Sequence, residues 1–142
     1  MLNLMRTADR LKGCIEQALK AKTLTPTQYN VLRILRGVSP QGLSCQEIAR
    51  RMITRDADLT RLLDRLETRH LVARARQAED RRVVLIVITE PGLALLAELD
   101  PMVFEGNKRA LGHVSPEALR QLIDLLELAR ESMEESTGLL TK

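Results

Sequence analysis

Between Met1 and Lys20 the apolar residues Met1, Leu4, Met5, Ala8, Leu11, Ile15, Ala18 and Leu19 recur at helical intervals. That spacing gathers them on one stripe of an amphipathic helix. A second helix is predicted from Thr25-Pro26, because proline is tolerated in a first turn, where its missing N–H would have had no partner. Tyr29, Leu32, Ile34 and Leu35 continue it, and Gly37 with Ser39-Pro40-Gln41-Gly42 ends it in a turn. Ser44-Cys45-Gln46-Glu47 then reads as a capping box, in which the serine hydroxyl and the glutamate carboxylate each satisfy a free backbone amide. The helix it opens is short, Cys45 to about Arg51, with Ile48, Ala49 and Met52 as its apolar face. Leu59, Leu62, Leu63 and Leu66 define the next helix, reaching Arg69 and capped by Thr54 or Asp56. A short helix followed closely by a longer one predicts a helix-turn-helix.

After His70 the period changes. Leu71–Arg76 and Arg82–Ile88 read as strands, the second almost wholly β-branched, with Gln77-Ala78-Glu79-Asp80-Arg81 as the hairpin loop. A hairpin directly after a helix-turn-helix is a wing. Thr89-Glu90-Pro91 caps a further helix bearing Leu93, Leu96, Ala97 and Leu99, in which Pro101 is expected to cause a kink or a break. Ser115-Pro116-Glu117 caps a last helix with Leu119, Leu122, Ile123, Leu126, Ala129 and Met133 at three- and four-residue spacing. The pattern predicts a mainly α fold with a small β-hairpin wing. It forms a single domain, 1–142, with a winged helix-turn-helix core at 25–90 and flanking helical segments at 1–22 and 91–142. The outer helices carry apolar stripes that so small a core cannot cover. A second copy of the chain would cover them, so the flanking helices read as dimerisation helices; folding back onto the same domain is the competing reading.

Composition and charge narrow the partners. Tyr29 and Phe104 are the only aromatics, so the core must be built from aliphatic side chains. The net charge of +3 is unevenly spread: residues 50–82 hold ten Lys/Arg against six acids, and residues 83–142 hold five against ten. Positive charge focused on a helix-turn-helix is the footprint of a phosphate-backbone partner, here double-stranded DNA, although a solvated charged face gives the same count. No apolar run approaches the roughly 18 residues of a membrane span, so no membrane partner is expected. The N-terminus lacks the basic-then-apolar order of a signal peptide, and the expected location is cytoplasmic. Cys14, Cys45, His70 and His113 lack metal-ligand spacing, so packing-grade thiols and no metal or other cofactor are expected. No nucleophile–base pair, carboxylate pair beside a histidine or glycine-rich phosphate loop suggests an enzyme.

Three segments, in order and at matching separations, resemble the multiple antibiotic resistance regulator (MarR) family over about residues 5–135. Leu24-Thr25-Pro26-Thr27-Gln28-Tyr29-Asn30-Val31-Leu32 is similar to the family's second helix, and Leu59-Thr60-Arg61-Leu62-Leu63-Asp64-Arg65-Leu66-Glu67 to its recognition helix. Asp80-Arg81-Arg82, followed by Val87-Ile88-Thr89-Glu90-Pro91-Gly92, matches its wing and the start of the next helix. The resemblance implies homodimeric bacterial transcription factors, usually repressors on palindromic operators, many of them released by small ligands. A small-molecule effector, where one exists, would then bind where the dimer helices meet the winged domain. Two departures stand out. His70 occupies a position where the family commonly has glycine, which implies a left-handed backbone there. The lead-in Thr54-Arg55-Asp56-Ala57-Asp58 is more acidic than usual, and its carboxylates could accept from cytosine amino groups or hold neighbouring arginines.

On this reading DNA is met by a helix over Asp56–Arg69 and a wing ending at Arg82. The resemblance places Arg82 in the minor groove, oriented by Asp80, where narrow A·T-rich sequence concentrates negative potential; an exposed surface ion pair is the alternative. Arg81, on the opposite side of the strand, suits a phosphate. Thr54, Arg55, Asp58, Thr60 and Arg61 lie in or before the first half of the recognition helix, with Arg61 to guanine the strongest candidate base contact. Arg65 is expected to pair with neighbouring acids, and Arg74 and Arg76 on the first strand to face phosphates. Cys14 raises oxidant sensing, which its neighbours Lys12-Gly13-Cys14-Ile15-Glu16 do not support. A winged-helix protein-interaction module without sequence-specific DNA binding is the alternative function.

Overall fold

The computed structural model describes residues 1–53, 58–76 and 83–139, arranged as two compact units, Met1–Asn107 and Lys108–Lys142. The first contains α1 (Leu2–Lys20), α2 (Pro26–Arg36), α3 (Cys45–Arg51), α4 (Leu59–Thr68), β1 (Val72–Arg76), β2 (Val84–Ile88) and most of α5 (Glu90–Leu111). The second holds the end of α5 and α6 (Pro116–Leu139). The order is the one read from the periodicity: a helix-turn-helix, a hairpin and two further helices, a mainly α winged helix-turn-helix.

Side-chain caps set the helix starts. Thr25 Oγ1 accepts from the Gln28 N–H at 3.2 Å, and Gln28 Oε1 accepts from the Thr25 N–H at 3.1 Å. This closed box satisfies Gln28, a polar side chain that is otherwise buried. The Ser44 box forms as expected, with the Ser44 N–H and Oγ donating to Glu47 Oε2 at 2.9 and 2.7 Å. These bonds, the hydroxyl one first, hold the Glu47 carboxyl below its ordinary value. The start of α4 differs from expectation. Its cap is Asp58, whose Oδ1 accepts from the Arg61 N–H at 3.3 Å, rather than Thr54 or Asp56. A cap immediately precedes the first helical residue and accepts from an amide two or three positions on, and Leu59 is that first residue.

Two helix ends share one device. After α4, His70 adopts φ 56°, the Leu71 N–H donates to the Leu66 carbonyl at 3.0 Å and the His70 N–H to that of Glu67 at 2.8 Å. This is a Schellman end, sealed by the buried pair Leu66 and Leu71. The left-handed conformation expected at His70 is present. After α1 the same pattern recurs without a glycine or histidine: Thr23 has φ 52°, and the Leu24 N–H donates to Leu19 and the Thr23 N–H to Lys20 at 3.4 and 3.1 Å.

The core of the first unit is aliphatic, built on Leu19, Val31, Leu32, Leu35, Ile48, Leu63, Leu66, Ile86, Leu96 and Leu99, all fully buried. β1 and β2 pair antiparallel with Val72 opposite Ile88, Arg74 opposite Ile86 and Arg76 opposite Val84. Leu43 adds a single bridge on the free side of β2, exchanging both backbone hydrogen bonds with Ile86 at 3.0 and 2.7 Å.

Thr89 caps α5, its Oγ1 accepting from the Gly92 N–H at 3.2 Å and donating to the His70 carbonyl at 2.6 Å. Gly92 lets the first turn of α5 lie directly on the Leu71 backbone: a methyl there would sit 2.8 Å from Ile88 Cγ1 and closer still to the Leu71 oxygen. Pro101 does not break α5, which runs unbroken from Glu90 to Leu111. Pro101 and Ala97 are both exposed, so the carbonyl that loses its N–H partner lies on the solvent side, where water can satisfy it. In the second unit Ser115 Oγ accepts from the Ala118 N–H at 3.2 Å and Pro116 opens α6, as expected.

Candidate nucleic-acid interface

The inner face of α4 is fixed by Leu62, Leu63 and Leu66, all buried, which turns Thr60, Arg61, Asp64 and Arg65 outward. An Asn30 side chain on α2 accepts from the Ile53 N–H at 3.0 Å and so ties down the chain leaving α3. Arg61 is exposed and its Nε lies 3.1 Å from Asp58 Oδ2, so the cap residue also holds the arginine. This is one of the two roles the acidic lead-in suggested. Thr54, Arg55, Asp80, Arg81 and Arg82 lie outside the described residues.

The start of α2 faces α4 across a cleft of about 260 Å³ lined by Thr25, Thr27, Gln28, Asp58, Arg61, Leu62 and Arg65. Arg65 is expected from the sequence to pair with the neighbouring acids, yet no ion pair to it is found among the described residues, and it lines this cleft. The acids go elsewhere. Arg74 on β1 donates from Nη2 to Asp64 Oδ1 at 2.6 Å and from Nη1 to Glu67, and its backbone N–H donates to Glu67 Oε1 at 3.3 Å. The hydrogen bond to Asp64 leads the effects that raise the Arg74 pKa. Strand alternation explains the choice. Arg74 shares a face with the buried Val72 and its partner Ile86, so it points towards α4. Arg76, two residues further along the same face, is exposed.

The sequence gives Arg69 no role beyond the end of the recognition helix and a share of the basic stretch. Its Nη1 and Nη2 donate to the backbone carbonyls of Thr23 and Lys22 at 2.8 and 2.9 Å. No local signal marks a partner 46 residues away.

Arg36 on α2 and Asp100 on α5 form a two-pronged pair at 2.7 and 3.2 Å, which raises the Arg36 pKa. Tyr29 lies beside it with the Arg33 guanidinium 5.8 Å from its ring centre. Burial raises its pKa above the ordinary value, partly opposed by Arg33. Cys14 is half-buried and Cys45 exposed, both free thiols. Among the described residues no cluster of His, Cys, Asp and Glu is placed to hold a metal ion, and no helix is long and apolar enough to cross a membrane.

The family model described as the MarR family matches residues 24–84, the span from the α2 cap to β2. A MarR transcription factor from Planctomyces limnophilus is 44% identical, with 89% of this chain and 92% of that one covered and a TM-score of 0.69. CouR from Rhodococcus jostii RHA1, solved bound to p-coumaroyl-CoA, is 27% identical, covers 87% and 86%, and has a TM-score of 0.79. BpsR from Bordetella bronchiseptica, whose DNA binding is regulated by 6-hydroxynicotinic acid, is 26% identical, covers 89% of each chain and has a TM-score of 0.79. With a relative this similar over nearly its whole length, and with the helix-turn-helix and hairpin in place, the chain belongs to the MarR family of transcriptional regulators.

Proposed function

We propose that this chain is a sequence-specific DNA-binding regulator, without enzymatic activity, that acts in the cytoplasm as a homodimer on a palindromic operator. In this reading it represses until a small ligand or another signal releases it. The observation that carries the reading is α4: its leucines are locked into the core while Thr60, Arg61 and Arg65 stand outward, the two arginines beside the start of α2. That arrangement offers a rigid helix face to a major groove. Arg61, steadied by Asp58, is the base-reading candidate, and Thr60 is its neighbour. Thr54 and Arg55 belong to the lead-in, Arg76 and Arg81 to phosphates, and Arg82 with Asp80 to the minor groove. Arg74 we assign to holding the wing, since both its prongs are engaged by α4.

Dimerisation through the terminal helices is supported by the apolar side chains they leave open. Met1, Leu2, Leu4 and Met5 of the N-terminal segment and Ile123, Leu125 and Leu128 of α6 are all more than half exposed. Effector release is supported by the ligands of CouR and BpsR, while the ligand of this chain is a separate matter of its own pocket chemistry. The test is a gel shift with the DNA upstream of the chain's own gene, over a salt series. Several phosphate contacts predict that log K falls with log salt by about 0.9 per contact. Absence of binding, or binding indifferent to salt, would refute the reading.

A further inference from the structure

The end of the recognition helix is tied to the end of α1 by one side chain. Arg69 is the C-cap of α4, and its guanidinium lies across the α1–α2 turn, donating to the carbonyls of Lys22 and Thr23 at 2.9 and 2.8 Å. Those carbonyls belong to the turn that follows α1, just past its C-cap Ala21, where the nearby negative end of the helix dipole favours a cation. The turn is held in a costly shape to present them: Thr23, a β-branched residue, sits at φ 52°. The same turn is tied to α5 by the Lys22–Glu98 ion pair, and the residue after Arg69 is tied to the start of α5 by the Thr89 hydroxyl. Three elements, α1, α4 and α5, thus close into a polar ring that passes through Arg69.

An arginine exposed on a DNA-binding unit would ordinarily be taken for a phosphate contact. Here its two forked donors are spent on the protein's own backbone, in the planar geometry a lysine could not reproduce. We infer that Arg69 is a positioning residue: it sets the angle of the recognition helix from the α1–α2 turn. α1 is the helix proposed to pack against a second copy, so the strap makes recognition-helix alignment sensitive to what α1 packs on. This rests on the DNA-binding reading above and adds to it the residue through which α1 acts.

The consequence is selective. A helix that tilts loses base contacts, which need registration, before it loses phosphate attraction, which does not. The experiment uses the full chain and two duplexes: one selected by the parent chain from random sequence, and the same duplex with its core scrambled. Affinities are measured over a salt series at a temperature where melting curves show each variant folded. For Arg69→Gln, affinity for the selected duplex should fall about tenfold, the scale of losing charge-assisted hydrogen bonds. Affinity for the scrambled duplex and both salt slopes should stay unchanged. Arg69→Lys, which keeps the charge but can satisfy only one carbonyl well, should fall between, and it serves as the test variant if Arg69→Gln does not fold. Loss of both affinities in parallel, with a salt slope reduced by about one ion, would make Arg69 a phosphate contact and overturn the inference. A lower melting temperature with both affinities intact would reduce the strap to a stability element and overturn it equally. Should the parent chain select no duplex at all, the DNA-binding reading falls first and the positioning role with it.

Discussion

Replacing Gly92 by alanine tests how closely α5 must lie on the wing domain. The new methyl would stand 2.8 Å from Ile88 Cγ1, 3.2 Å from the Leu71 carbonyl carbon and nearer still to its oxygen. Neither neighbour can yield cheaply. The Leu71 oxygen accepts from the Thr89 N–H at 3.2 Å, and Ile88 is a buried member of the core. Overpacking of this kind costs about 1–3 kcal/mol. Alanine's helix preference over glycine returns up to about 1 kcal/mol in a helix interior, and less in a first turn. The net expectation is a loss of about 2 kcal/mol, which for a chain of this size lowers the melting temperature by roughly 5–10 °C. Urea unfolding followed by far-ultraviolet circular dichroism should show a lower midpoint with an unchanged slope. Gly13→Ala is the internal control, since nothing lies within 4 Å of a methyl at that exposed position of α1. The same chemical change there should stabilise by up to about 1 kcal/mol. A Gly92→Ala chain as stable as its parent would refute the close-approach argument.

Other expectations follow from the site. Arg74→Ala should weaken operator binding while leaving the salt slope unchanged, because its guanidinium serves Asp64 and Glu67; a slope reduced by about one ion would return Arg74 to the phosphates. The depressed Glu47 pKa means that its contribution to stability is present above the ordinary carboxyl value of 4.5 and is lost as pH falls through the lower folded value. Glu47→Gln should therefore flatten the acid limb of a melting-temperature–pH profile, and an unaltered limb would show the capping box to be idle.

Much of this fold was legible because its signals are local. A capping box needs only residues three apart, and Ser44–Glu47 forms as the sequence predicts, whereas the left-handed turn at His70 is implied by the resemblance to a family that commonly has glycine there. The break allowed for at Pro101 does not occur, because the cost of proline depends on which side of the helix its orphaned carbonyl faces, and that is decided by packing. The site was less legible for the same reason. Asp64 and Glu67 have Arg61 and Arg65 as neighbours in sequence, but the hairpin delivers Arg74 to them instead. The alternation of β1 contained the clue: Val72 faces the core, so Arg74, two residues on, faces the same way. Nothing comparable marks Arg69, whose partners lie across the fold, or Thr23, whose left-handed turn has no glycine to announce it.

The chain has no tryptophan and a single tyrosine, and that tyrosine is a buried residue of α2 near the Arg36–Asp100 pair. Tyr29 is therefore a built-in optical reporter free of any tryptophan or second tyrosine signal. Its near-ultraviolet circular dichroism reads one location on α2, beneath the Arg33 guanidinium. Its burial delays phenolate absorbance to alkaline conditions beyond those of a free tyrosine. Duplex DNA, whose absorbance crowds that region, can be replaced by candidate effectors transparent there. Any compound that reshapes the α2–α5 contact would then announce itself in an unlabelled, unmutated protein.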